Sequence, residues 1–166
     1  MGKPRYFLEI EVAYQKHGLL LSQRKYTLDL LEETGMLGCK PASTPMEANV
    51  DLWCDNIHLP DDPGQYKRLI EKLIYLTFTK PNITFAVGLL SRFMHQPKKV
   101  YWTAALRILV YIKSSSGKGL LYKKHGHVCI FGYSDLGYAG DKGDRKSTTG
   151  YCIFVGGNLV TWRSNK

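Results

Sequence analysis

The side chain best placed to do chemistry is Asp135, a single aspartate that follows a strand-like apolar run over residues 128–131. A carboxylate at a strand end can hold Mg²⁺, but two-metal hydrolysis of a phosphodiester needs several acidic groups around ions about 4 Å apart. Asp141 and Asp144 are its acidic neighbours in sequence, and both lie in a predicted loop where solvent exposure is expected. The alternative interpretation is a turn residue that caps its own backbone.

Two further motifs have ligand-like spacing. His125, His127 and Cys129 alternate along a predicted strand and would share one face as a possible metal triad. No fourth ligand lies nearby, which favours the alternative that these residues only follow the ordinary alternation of side chains along a strand. The run over residues 143–148 ends in Lys-Ser-Thr like a phosphate-binding loop, but Arg145 stands where that motif needs its second glycine. We therefore expect no cofactor site in either motif.

Basic residues are concentrated in the second half of the chain and alternate with aromatic residues. The formal net charge of +9 over 166 residues permits binding to nucleic acid or to anionic surfaces. Lysine and arginine neutralise phosphates with counterion release, and aromatic rings can stack on bases. The alternative is a solvated surface over a core that includes Trp102. The candidate nucleic-acid contacts are Lys98, Lys99, Arg107, Lys113, Lys142, Arg145 and Lys146.

Composition indicates a globular chain, because 44% of the residues are hydrophobic. No window of about 18 uncharged apolar residues occurs, so a membrane-spanning helix and a membrane partner are not expected. No signal-peptide pattern follows Met1, which predicts an intracellular, reducing compartment. The cysteines form no C-x-x-C pair, which agrees with free thiols; they are Cys39, Cys54, Cys129 and Cys152.

Hydrophobic periodicity predicts both helices and strands. Residues 6–14 and 18–23 alternate as a strand hairpin, and a short helix follows that Gly35 ends. Residues 38–64 are rich in proline and aspartate and indicate an extended linker.

Three helices and a strand meander are predicted after the linker. The first helix has an apolar face formed by Tyr66, Leu69, Ile70, Leu73 and Ile74. Pro81 interrupts it, a second helix covers residues 83–94, and a third covers residues 100–113 with Trp102, Ala105, Leu106, Leu109 and Ile112 inward. The strands follow over residues 120–123, 127–132, 150–155 and 159–162, with a turn at Gly156-Gly157-Asn158.

Several segments resemble the Pol polyprotein of copia-type long-terminal-repeat retrotransposons of plants. They are YFLEIEV, GLLLSQRKYTLDLLEETGMLGCKPASTPM, YKRLIEKLIYLTFTKPNITFAVGLLSRFMHQP, YWTAALRILVYIKSSSGKGLLYKK and GYSDLGYAGDKGDRKSTTGYCIFVGGNLVTWRSNK. The resemblance spans nearly the whole chain and implies an α+β fold. Its expected parts are the end of a reverse transcriptase (1–37), a linker (38–64), a helical connection region (65–116) and truncated antiparallel ribonuclease H-like strands (117–166).

The resemblance gives Asp135 a role. It matches the first metal-binding carboxylate of the ribonuclease H site, where the parent family uses Mg²⁺, but Gly137 and Tyr138 replace the family's next aspartate and its tryptophan. The family's other catalytic acids fall outside the stretch matched here. The resemblance therefore implies a non-catalytic fragment with residual, non-specific affinity for RNA or DNA. The alternatives are a domesticated interaction or effector protein, and an active RNA–DNA hybrid nuclease, which would need at least two more carboxylates near Asp135.

Departures from the family pattern have physical consequences. The family usually has glycine where this chain has Glu9 and Glu71, arginine at Lys80, and histidine at Tyr101. Glu71 lies in a predicted helix, where glutamate is better than glycine by about 0.6 kcal/mol. Glu9 would be costly if it were buried and unpaired, and without cost if it faced solvent. The open sheet edge expected at residues 159–162 also predicts self-association.

Overall fold

The computed structural model of the protein describes residues 5–48, 50–53, 62–137 and 147–165. Within them lie helices and antiparallel strands, which confirms the α+β class. The elements are β1 (Tyr6–Phe7), β2 (Ile10–Gln15), β3 (Gly18–Ser22), α1 (Arg24–Glu33), α2 (Pro63–Leu76), α3 (Thr84–Ser91), α4 (Lys99–Lys113), β4 (Leu120–Lys123), β5 (Ile130–Gly137), β6 (Thr148–Val155) and β7 (Asn158–Asn165).

The chain divides into two compact units. The strand unit combines Met1–Arg24 with Gly117–Lys166, and the helical unit is Lys25–Ser116. The segments predicted from the sequence follow chain order, whereas these units join the first strands to the last. The reason is that β3 pairs antiparallel with β4, from Gly18 opposite Lys123 to Leu21 opposite Leu120. Periodicity identifies a strand but not its distant partner.

The first sheet of the strand unit has the order β1-β2-β3-β4. The sequence predicted one strand over residues 6–14, but a two-residue turn at Leu8 and Glu9 divides it into β1 and β2. Both turn residues have positive φ, 45° and 58°, a conformation that favours glycine in hairpin turns. Glu9 is exposed, so it has no burial cost, and its unfavourable contribution is backbone strain instead.

Replacing Glu9 with glycine is expected to stabilise the β1–β2 hairpin by about 1 kcal/mol, because glycine adopts positive φ without the steric penalty of a side chain. The exposed hydrogen bond from the Tyr6 hydroxyl to the Glu9 carboxylate is lost, which offsets little of the gain. Hydrogen exchange of the β2 amides measures the change. Glu11→Gly, within β2, is the matched control and should increase the exchange rate. Faster exchange in Glu9→Gly would contradict the inference that the backbone at Glu9 is strained.

The second sheet has the order β5-β6-β7. Gly156 and Gly157, at φ 53° and 75°, form the tight turn between β6 and β7, as the sequence predicted. The side chain of Asn158 accepts a hydrogen bond from the backbone N–H of Lys123 at 2.7 Å and donates one to its carbonyl at 2.8 Å. These bonds tie the start of β7 to the end of β4 in the first sheet.

The helical unit packs α1, α2, α3 and α4 around one apolar core. The face predicted for α2 is largely confirmed, since Tyr66, Leu69, Ile70 and Leu73 are buried, but Ile74 is 40% exposed. The buried face of α4 differs slightly from the predicted one. Tyr101 and Ile108 are buried with Ala105, Leu109 and Ile112, while Trp102 and Leu106 are half-buried against the core.

The described part of the segment between α1 and α2 packs more closely than the extended linker that the sequence predicted over residues 38–64. Met46 and Val50 contact the helical core, and Leu52 is buried in it. Gly35, at φ 69°, ends α1 as predicted, with its N–H bonded to the Glu32 carbonyl at 2.9 Å. The apolar residues of this segment are dispersed among prolines and aspartates without a helical or strand period. Their burial could therefore not be predicted from hydrophobic periodicity.

Candidate functional site

Asp135 lies near the end of β5, and its side chain is exposed. Gly150 of β6 lies directly opposite and presents no side chain. Of the atoms that the structure describes, a Cβ added at Gly150 would meet the Arg163 carbonyl oxygen at 3.9 Å. Among the described residues, the side chain that directly faces Asp135 across the strand pair is therefore absent, and the carboxylate is exposed.

A metal centre would need further acidic ligands around that carboxylate. In the part of the chain that the structure describes, no three His, Cys, Asp or Glu side chains form a group that could hold a metal ion. The described residues thus do not fit a two-metal magnesium centre. Asp141 and Asp144 lie outside the described residues, so the role of Asp135 remains a prediction.

The histidine and cysteine pattern is exposed near the start of β5. The rings of His125 and His127 are 6.2 Å apart between centroids, and His127 Nδ1 accepts a hydrogen bond from the Cys129 N–H at 3.3 Å. All three residues lie between the end of β4 at Lys123 and the start of β5 at Ile130, so the strand predicted to place them on one face is wrong at these positions. They are not among any metal-binding group of the described residues. Cys39, Cys129 and Cys152 are free thiols, and Cys54 lies outside the described residues.

Four of the candidate nucleic-acid contacts belong to α4 or its N-cap, namely Lys98, Lys99, Arg107 and Lys113. Arg107 is bonded to the Glu47 carboxylate at 2.9 Å, and Lys113 donates to the Cys39 carbonyl. Both side chains therefore already make contacts within the protein, which makes them less available to a phosphate. Lys142, Arg145 and Lys146 lie outside the described residues.

An aromatic–cation cluster, which sequence reasoning missed, lies where α3 ends and α4 begins. We give this name to Trp53, Arg92, Phe93, Lys98 and Tyr101. Phe93 and Tyr101 stack at 4.1 Å between centroids, and Trp53 meets Phe93 edge-on at 5.3 Å. The Arg92 guanidinium lies 5.9 Å from the Trp53 ring, and Lys98 Nζ lies 5.8 Å from the Tyr101 ring. Tyr101 is buried but Trp53 is exposed, so the cluster presents one accessible ring beside cations.

Lys80 is a second feature that the sequence did not reveal. Its side chain is buried, with the residue only 3% exposed, and Nζ donates to the Ser115 carbonyl at 2.8 Å. Burial lowers the pKa of Lys80 from 10.5 to about 8. The family's usual arginine was the only sequence signal for this position, and it indicated a cation without indicating burial.

Comparison with known proteins identifies relatives over the whole chain. The retrovirus-related Pol polyprotein from transposon RE2 of Arabidopsis thaliana is 40% identical over 97% of this chain and 11% of that polyprotein. An uncharacterised mitochondrial protein of Arabidopsis thaliana is 34% identical over 100% of this chain and 69% of that protein. The secreted RxLR effector protein 161 of Plasmopara viticola is 38% identical over 61% of this chain and 72% of that protein.

These likenesses define a class, proteins related to the Pol gene product of plant transposons. The chain belongs to the Pol polyproteins of copia-type plant retrotransposons. It spans about 11% of the length of the polyproteins it matches. No family model and no solved structure matches the chain. None of the described helices is long and apolar enough to cross a membrane.

Proposed function

We propose that this chain is a non-catalytic segment of a retrotransposon reverse transcriptase and ribonuclease H polyprotein that retains non-specific affinity for nucleic acid. The helical unit corresponds to the connection region, and the second sheet corresponds to ribonuclease H-like strands. The observation that carries the proposal is the setting of Asp135, an exposed carboxylate with glycine opposite and no metal-binding group among the described residues. One carboxylate cannot position two magnesium ions.

The aromatic–cation cluster supports the nucleic-acid part of the proposal. Arg92 and Lys98 lie over neighbouring rings of one aromatic group, and Lys99 follows at the first turn of α4. Cations that contact phosphates give affinity without sequence preference, and an exposed tryptophan can stack on an unpaired base. With a net charge of +9, the chain also attracts polyanions from a distance.

Incubation with a labelled RNA–DNA hybrid and Mg²⁺ tests the proposal. We expect no metal-dependent cleavage by the chain or by Asp135→Asn, because the described residues lack the ligands for the ions. Asp29→Asn, an exposed aspartate on α1, is the matched control for loss of one negative charge. Cleavage that persists in Asp29→Asn but disappears in Asp135→Asn would show an active nuclease and end the proposal.

Binding is measured on the same hybrid and on single-stranded RNA over a range of salt concentrations. We expect affinity to fall as salt rises, and replacement of Lys98 and Lys99 by alanine to reduce the slope of log K against log salt by about two. Replacement of Lys67 and Lys72 on α2 removes the same charge elsewhere and controls for net charge. If both double variants reduced the slope equally, the start of α4 would not be a specific contact for nucleic acid.

A domesticated interaction or effector protein is the second candidate function. The likeness to the secreted effector of Plasmopara viticola favours it, because that protein shares 38% identity over 102 residues. Under this proposal the chain would bind one defined protein and show no salt-dependent affinity for RNA. Quantitative affinity capture with the intact chain separates the two functions, since a single saturable protein partner is expected only for the second.

A further inference from the structure

A pocket of about 410 Å³ lies in the helical unit, where α4 faces the segment between α1 and α2. Four apolar side chains line it, namely Met46 and Val50 of that segment and Val100 and Ala104 of α4. Ala104 is buried, whereas Thr103, which also lines the pocket, is exposed, so the pocket reaches from the core to the surface. Mostly apolar pockets of this size, with a few polar groups, are typical of ligand sites.

Polar and charged side chains complete the lining. Besides Thr103 they are Glu47, Lys99 and Arg107. Arg107 donates to the Glu47 carboxylate at 2.9 Å, but the two side chains remain 29% and 63% exposed, so the pair does not use all of their hydrogen-bonding capacity. None of the ion pairs among the described residues involves Lys99, whose side chain is exposed. The pocket therefore combines apolar walls with two cations and one carboxylate.

From this combination we infer that the pocket takes up the base of one unpaired nucleotide while Lys99 holds its phosphate, which presupposes the proposed affinity for nucleic acid. A base has two faces that apolar side chains can contact and an edge that needs hydrogen-bond partners. Arg107 supplies donors for that edge, and Glu47 and the Thr103 hydroxyl supply acceptors. A pure hydrocarbon would leave these polar groups desolvated and unpaired, and an inorganic anion would leave the apolar walls without a partner.

The surroundings of the pocket suit a strand that continues past it. Lys98, which precedes Lys99, lies 5.8 Å from the Tyr101 ring and belongs to the aromatic–cation cluster. Trp53, the exposed ring of that cluster, follows the pocket residue Val50 closely in sequence. Phosphates on either side of the bound base would therefore lie near cations. A base in a duplex is paired and stacked and cannot enter the pocket, so we expect a preference for unpaired strands.

Oligonucleotides of equal length with and without bases test the inference on the intact chain. A single strand of deoxythymidine nucleotides and an abasic strand carry the same phosphates, so their phosphate contacts are alike. At low salt we expect at least about fivefold tighter binding of the strand that has bases, because burial of a base adds to those contacts. Equal affinity for the two strands would overturn the inference and leave the proposed function standing. Failure to bind either strand would end both.

Filling the pocket identifies where the base lies. Ala104→Leu extends a side chain into the pocket and is expected to bring the affinities for the two strands within twofold of each other. Thr103→Leu narrows the pocket from an exposed position, where the added bulk does not enter the core, and should act in the same way. Lys99→Ala should weaken binding of both strands equally, because it removes a phosphate contact. A preference that persists in both leucine variants would refute the pocket, and its loss in Trp53→Ala alone would place the base on that exposed ring instead.

Discussion

The stability of the chain relative to its Lys80→Met variant is expected to rise by about 3 kcal/mol between pH 7 and pH 11, since folding lowers the pKa of Lys80 from 10.5 to about 8. At pH 7 the ammonium group is charged in both states, and the folded state bears the cost of burying that charge. Between pH 8 and 10.5 the unfolded chain holds more protons at this site than the folded chain, so raising the pH favours folding. Above pH 10.5 the amine is neutral in both states and the penalty has gone.

Chemical denaturation at several pH values, applied to both proteins, gives the difference directly. Ionisation of other groups is common to both proteins and cancels in the comparison, including that of Tyr66, whose pKa is raised by burial. Lys80→Arg is the second control, because its guanidinium stays charged throughout and should show no such rise. If the difference in unfolding free energy between the chain and Lys80→Met stayed constant from pH 7 to pH 11, the Lys80 amine would not be desolvated by folding.

The helices were predictable from the sequence because their signals are local. The apolar period starting at Tyr66 defined α2, and Pro81 marked the break before α3. Gly35 and the Gly156-Gly157 pair specified a helix end and a hairpin turn through their positive φ. Pairing of β3 with β4 was not predictable, because no local pattern links strands so distant in sequence.

The candidate site was predictable only in part, and for the same reason. Asp135 was identified by its position after an apolar run, and the structure places it in β5. The aromatic–cation cluster was missed because Trp53, Phe93 and Tyr101 come from three separate segments, and no sequence spacing brings them together. Burial of Lys80 was missed because a lysine beside a proline is ordinarily a surface residue.

Truncation of Leu73 is expected to destabilise the helical unit by about 3 kcal/mol, since removing a buried leucine side chain leaves a cavity in a packed core. Leu73 has no exposed surface, and it lies on the α2 face that meets the core with Leu69 and Ile70. Ile74, the next residue, is 40% exposed, so Ile74→Ala should cost less than about 1 kcal/mol. The sequence placed both residues on the apolar face, and only the structure separates them.

Thermal or urea unfolding followed by far-ultraviolet circular dichroism at 222 nm measures both variants, because the helical unit dominates that signal. The two substitutions remove similar hydrocarbon from adjacent positions of one helix, and both introduce alanine, which favours helix. Helix propensity therefore cannot produce a large difference between them, and burial is the remaining cause. Equal losses in Leu73→Ala and Ile74→Ala would mean that a further surface covers Ile74 in solution, and that the exposed side of α2 is an interface.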